Sequence, residues 1–256
     1  METEDLLLRI ILKYQKVIWK DFTNLLRDLI QKHGVSIRVL GNIQLLPKDV
    51  QEIIAEAVNI SKNNTRAILN VALAYTSREE MCTAMKEITE GVKSGILKTS
   101  DISEDLMGKC LYTGKSPDPD LLIRTSGEVR FSDFLLWQSS FSCLAFVQVL
   151  WPEFSVWHLY AAILHYQKNY QTIKMAKDKQ ELNEERRYSD IDYKQALEDL
   201  KLENKEDVSY KEIQTFVKQY SIDRQNRIDQ FLQHLYEKRE KLFEDLSINR
   251  SSVTPS

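Results

Sequence analysis

Residues 117–138 read PDPDLLIRTSGEVRFSDFLLWQ. The stretch opens on alternating Pro and Asp, runs through Leu121, Leu122 and Ile123 to Arg124, bends at Thr125, Ser126 and Gly127, and after Arg130 turns apolar again. An aliphatic run bounded by such turn residues predicts a strand over 121–124. Ser132 or Asp133 is placed to cap a helix beginning FLLWQ. In sheets built by strand–helix alternation, ligands bind beyond the carboxyl ends of strands. Arg124 is delivered to such an end, with Arg130, Ser132 and the expected helix N-terminus beside it. Planar bidentate donors, a hydroxyl and free N–H groups suit phosphate oxygens, and suit a diphosphate better than one carboxylate. The competing reading pairs the arginines with Asp120, Glu128 or Asp133 as structural ion pairs. On pattern alone both readings stay open.

The alternation extends to either side of the bend. VSIRVL at 35–40, a Gly-Asn turn, a helix from Lys48 after Pro47, and RAILNVALAY at 66–75 come before it. Ser77 with Glu80 reads as a capping box for a helix running to Gly95, and a shorter helix is expected near 103–109. After the bend come a strand at LAFVQVL, 144–150, then Trp151-Pro152 and a helix from about Ser155 to Asn169. This order predicts an α/β fold with a mostly parallel sheet and right-handed crossovers.

The flanks differ in texture. Residues 3–33 contain no Pro and no internal Gly, and end at His33-Gly34, a good C-cap, so they read as one helix about 45 Å long at 1.5 Å per residue. Its apolar residues occupy more than one face, which suits a buried helix or the wall of an apolar cavity. From residue 171 charge density rises and the apolar spacing of Ile213, Phe216, Val217 and Tyr220, then of Ile228, Phe231 and Leu235, is helical. Ile222 falls off the first stripe, which predicts a break between two helices. Phe216, Phe231, Leu232, Leu235 and Leu242 need cover from another helix, of this chain or a partner. The expected organisation is an α/β domain over 1–170, a helical extension over 171–250 and a disordered tail over 251–256.

Bulk properties narrow the function. With 256 residues and a formal charge of −3, the chain has no basic field for non-specific nucleic-acid binding. Cys82, Cys110 and Cys143 fit neither a disulfide framework nor a zinc site, so a reducing compartment is expected. Arg9, Lys13 and Lys16 interrupt LLLRIILKYQKVIW, which reads as neither a signal peptide nor a membrane span. No Walker A, G-x-G-x-x-G or G-x-S-x-G pattern occurs. His33, His158, His165 and His234 read as structural, and Arg78 as a helix first-turn or interface residue.

LLIRTSGEVRFSDFLLWQ, followed by LWPEF, resembles the signature of the cis-prenyltransferases. GVSIRVLGNIQLLP, LNVALAYTSREEM and CLYTGKSPDPD resemble the eukaryotic dehydrodolichyl diphosphate synthase branch of that family. The resemblance covers residues 1 to about 170 and, more loosely, the tail. It implies that Arg124, Arg130 and Ser132 bind the diphosphate of isopentenyl diphosphate. The implied reaction is head-to-tail condensation with farnesyl diphosphate to give dehydrodolichyl diphosphate for dolichol synthesis and protein glycosylation. Mg2+ is the implied cofactor, since a leaving diphosphate needs its charge neutralised. The long product needs an apolar tunnel, for which Leu7, Leu8, Ile11 and Leu12 on the first helix are candidate lining residues.

The sequence also departs from the family pattern. The Asp-Gly-Asn-Arg-Arg segment that binds the allylic diphosphate and magnesium in relatives is not among these residues, so the N-terminal part is expected to be missing. No catalytic or metal-ligating residue is assigned. Where bacterial relatives place a metal-binding glutamate, this chain has Cys143, a soft ligand. The C-terminal R-x-G segment is lacking, which implies a Nogo-B-receptor-like second subunit and a hetero-oligomer. The resemblance places the protein peripherally on the cytosolic face of the endoplasmic reticulum membrane, with no nucleic-acid partner. The alternatives are a non-catalytic subunit of that complex and a helical interaction module.

Overall fold

The structure, a computed structural model, describes residues 27–202 and 210–251. Leu7, Leu8, Ile11 and Leu12 lie outside the described residues. The chain forms two compact units: residues 27–75 with 236–251, and Thr76–Leu235.

In the first unit, residues 27–33 are helical (α1) and end at Gly34, whose φ of +63° is the left-handed C-cap expected of glycine. Strand β1 (Val35–Leu40) pairs in parallel with β2 (Ala67–Ala72), Val35 opposite Ala67 and Leu40 opposite Ala72. Between them runs α2 (Lys48–Ser61), started by Pro47, whose fixed φ suits a helix entrance. Ile30 and Ile37 pack with Val35, Ala57 and Leu69. The polar ends of this unit are tied in as well. Ser61 Oγ accepts from Ile37 N at 2.9 Å, and Asn64 Nδ2 donates to the carbonyls of Ile30 and Val35 at 3.1 and 2.9 Å. At Gly41, φ is +116° and an added Cβ would fall 2.2 Å from the Leu73 carbonyl oxygen, so only glycine fits.

The second unit contains α3 (Ser77–Lys93), α4 (Glu104–Cys110), β3 (Leu121–Arg124), β4 (Cys143–Phe146), α5 (Val156–Leu202) and part of α6 (Tyr210–Ser251). Strands β3 and β4 are parallel, and α5 packs across both. Among the described residues the strands make two separate two-stranded ladders, both parallel. Strand–helix alternation therefore predicted the direction of pairing correctly.

Four local expectations are corrected. The cap of α3 is Thr76, whose Oγ1 accepts from Glu79 N at 3.3 Å, one residue ahead of the Ser77–Glu80 pair. Strand β4 ends at Phe146, short of residue 150. The helix after Pro152 runs on to Leu202, past Asn169. Helix α6 has no break at Ile222, because Ile213, Phe216, Val217 and Tyr220 pack with Ala196 and Leu197 of α5. The drift of an apolar stripe around a straight helix produces the same change of face as a break would.

Candidate diphosphate site

The bend after β3 is built by strand pairing and by backbone conformation. Val147 N donates to the Arg124 carbonyl at 2.8 Å, Ser126 N to the Val149 carbonyl at 2.7 Å and Gly127 N to the Val147 carbonyl at 3.0 Å. Ser126 and Gly127 reverse the chain with φ of +70° and +68°. This turn leaves Arg124 reaching across the bend. Its Nη1 donates to Ser132 Oγ at 3.0 Å and, in a very short contact, to the Arg130 carbonyl oxygen. Arg124 and Ser132 therefore meet, as a shared anion site requires.

The Arg130 guanidinium takes a different partner. It lies 3.2 Å from Glu128 Oε2, with about two-thirds of its side chain exposed. The ion-pair reading thus describes Arg130 in this state, and the convergent reading describes Arg124 and Ser132. An exposed pair of this kind is worth about 0–1 kcal/mol, so a diphosphate carrying several charges competes with it easily.

The helix expected at FLLWQ is absent: residues 132–141 form turns. Ser132, Asp133 and Leu135 have φ of +50°, +61° and +47°, which no right-handed helix accommodates. The positive end of a helix dipole is therefore not part of the site at this position. Sequence reasoning also missed the residues behind the bend. Ser77 is fully buried and Glu80 is 1% exposed. Leu136 N donates to Ser77 Oγ at 2.9 Å, and Glu80 accepts from Tyr112 N at 2.8 Å and from Gln138 Nε2 at 3.0 Å. The signal lay in the TSREE run, where two overlapping capping pairs could be drawn.

A magnesium site was tested against the same residues. Cys143 is buried, and burial pushes its thiol pKa up, so it stands protonated at neutral pH. Among the described residues no cluster of three or more His, Cys, Asp or Glu is placed to hold a metal ion. The described part of the bend does not fit magnesium. A hollow of about 280 Å³ lies at the other end of β3, lined by Asp118, Asp120, Tyr166, Tyr170, Lys174 and Lys177 among others, and includes neither arginine.

With this geometry in place, comparison with known proteins decides the family. A family model described as putative undecaprenyl diphosphate synthase matches residues 5–174. This chain belongs to the undecaprenyl diphosphate synthase family. The expected cis-prenyltransferase kinship is thereby established, as is its eukaryotic leaning. The chain is 48% identical over 214 residues to the dehydrodolichyl diphosphate synthase complex subunit of Homo sapiens, covering 83% of this chain and 64% of the relative. It is 44% identical over 139 residues to an isoprenyl transferase of Halalkalibacterium halodurans, 54% of each chain. The chain thus spans less than two-thirds of the human relative's length. Among solved structures it resembles lavandulyl diphosphate synthase from Lavandula x intermedia, in complex with dimethylallyl diphosphate. That match has a TM-score of 0.58 and 32% identity, over 61% of this chain and 68% of that one. The family match ends at residue 174, inside α5, so that helix begins in the family domain and continues beyond it.

Proposed function

We propose that this chain is a subunit of a cis-prenyltransferase that adds isopentenyl diphosphate to an allylic diphosphate such as farnesyl diphosphate, giving dehydrodolichyl diphosphate for dolichol synthesis and protein glycosylation. The observation that carries the reading is the meeting of Arg124 and Ser132 at the carboxyl end of β3. Arg124 gives paired N–H donors to the diphosphate, Ser132 gives a hydroxyl, and Arg130 joins once it leaves Glu128. With the diphosphate anchored, the homoallylic double bond attacks C1 of the allylic partner. Its pyrophosphate departs, and loss of a proton sets the new double bond. Mg2+ belongs to this proposal through the family resemblance only.

The same reading assigns 1–170 to the transferase domain, 171–250 to a helical extension and 251–256 to a tail. A hetero-oligomer with a Nogo-B-receptor-like subunit is supported by apolar side chains left open on the second unit. Trp151 and Trp157 are 72% and 76% exposed, beside exposed Leu150, Val156, Tyr160 and Leu164. Patches of this type mark interaction surfaces. Among the described residues no helix is long and apolar enough to cross a membrane, and the proposed location is peripheral, at the cytosolic face of the endoplasmic reticulum.

Calorimetric titration with isopentenyl diphosphate tests the proposal. Saturable binding that Arg124→Ala weakens at least tenfold supports it. Equal affinity in the two proteins overturns it and leaves the helical interaction module. Prenyl transfer from farnesyl diphosphate, measured with the second subunit present, then separates a catalytic from a non-catalytic member of the complex.

A further inference from the structure

The turn that presents Ser132 is strained, and the first turn of α3 holds it. Ser132, Asp133 and Leu135 all adopt left-handed φ values between +47° and +61°. Asp tolerates this region through its short polar side chain, whereas Leu is disfavoured there, so the conformation needs outside support. Ser77 supplies part of that support at both ends of the 133–136 segment. Its N–H donates to the Asp133 carbonyl at 2.8 Å, and its Oγ accepts from Leu136 N at 2.9 Å. One turn further along α3, Glu80 takes the end of the segment. Its Oε2 accepts from Gln138 Nε2 at 3.0 Å, and the same Nε2 donates to Thr113 Oγ1 at 2.9 Å. Its other oxygen accepts from Tyr112 N at 2.8 Å, which fixes the loop before β3 to the same carboxylate.

We infer that Ser77 and Glu80 are positioning residues for the diphosphate bend, holding the 132–138 turn so that Ser132 stays in reach of Arg124. This role rests on the diphosphate reading above. Helix capping does not account for the pair, because Thr76 and the backbone of Glu79 already perform it. Both residues are buried at 1% exposure or less, so neither touches ligand, and they act through the turn they grip. A sheet end offers an anion two things, donors and their geometry, and Ser77 and Glu80 supply the second.

The test uses the full chain and two readouts, amide hydrogen exchange over 131–139 and calorimetric binding of inorganic pyrophosphate. Ser77→Ala removes one acceptor at little cost in volume, and Glu80→Ala removes two. Both are expected to speed exchange in 131–139 and to weaken pyrophosphate about three- to tenfold, the scale of one or two lost hydrogen bonds. Glu80→Gln should recover most of the wild-type behaviour. Gln138 Oε1 is buried without a hydrogen-bond partner, and on turning over it can accept from the introduced amide. Ile88→Val, in the buried face of the same helix, serves as a control that lowers Tm and leaves both readouts unchanged. Unchanged exchange in both alanine variants, or an equal rise in Ile88→Val, overturns the positioning role whatever calorimetry gives. Wild-type protein that binds no pyrophosphate overturns instead the diphosphate reading.

Discussion

Arg227 of α6 donates two parallel hydrogen bonds, of 2.8 and 2.7 Å, to Asp101, a carboxylate with no solvent exposure. Burial pushes the Asp101 pKa up. The Arg227 hydrogen bonds, the Lys98 backbone N–H and the charges of Arg227 and Arg224 outweigh burial and hold it below its usual value. Near it on α6, Arg224 meets Asp192 of α5 and stacks 4.5 Å over the Tyr188 ring. Within the second unit, α6 is thus held by paired charges and not only by its apolar face.

Arg227→Ala is expected to destabilise the chain by about 3–5 kcal/mol, because it leaves a buried carboxylate unpaired. Chemical denaturation of the second unit measures this. Since the folded pKa of Asp101 lies below its unfolded value, the pair's contribution is complete above the unfolded value of 3.8 and is lost as pH falls through the folded one. In the wild-type protein this contribution should therefore be lost only in strong acid, whereas in Arg227→Ala burial meets less opposition and the carboxyl takes up its proton at higher pH, so the wild-type advantage shrinks as pH falls. An advantage that grows as pH falls from about 7 to about 4 would contradict this assignment.

Glu128→Gln is expected to tighten pyrophosphate binding about two- to fivefold. It releases the Arg130 guanidinium, now 3.2 Å from Glu128, and removes a negative charge from the bend. Calorimetry at low and high salt checks the sign and the origin, since a charge effect at an exposed site shrinks with added salt.

Glu184 shows the opposite titration. Burial raises its pKa, and the charge of and a hydrogen bond with Glu104 raise it further. Its contribution is complete below the unfolded value of 4.5 and is lost as pH rises through the folded one. Glu184→Gln should accordingly stabilise the protein at pH 7 by roughly 0.5 kcal/mol and change little near pH 4. Thermal unfolding across that range decides it.

Gly91 has no room for a side chain, since an added Cβ would sit 2.6 Å from the Phe231 ring. Gly91→Ala is expected to cost about 1–3 kcal/mol through overpacking, despite the better helix propensity of alanine. Phe231→Leu in the same protein should return part of the loss. Equal stability of Gly91→Ala and wild type would mean that α6 does not press on α3 in solution.

Sequence alone determined the strands VSIRVL and LLIR, the start of α2 at Pro47 and the delivery of Arg124 to a strand end. Each follows from local periodicity, turn residues or a family signature that neighbouring residues carry by themselves. Tertiary structure decided which arginine joins Ser132, since Arg130 had Glu128 within reach and nothing in the order of residues ranks the two partners. It also turned FLLWQ from a helix into turns and moved Ser77 and Glu80 from capping to the grip on that segment. Those outcomes depend on hydrogen bonds across 58 and 59 positions, and bonds of that span exist only once the chain has packed.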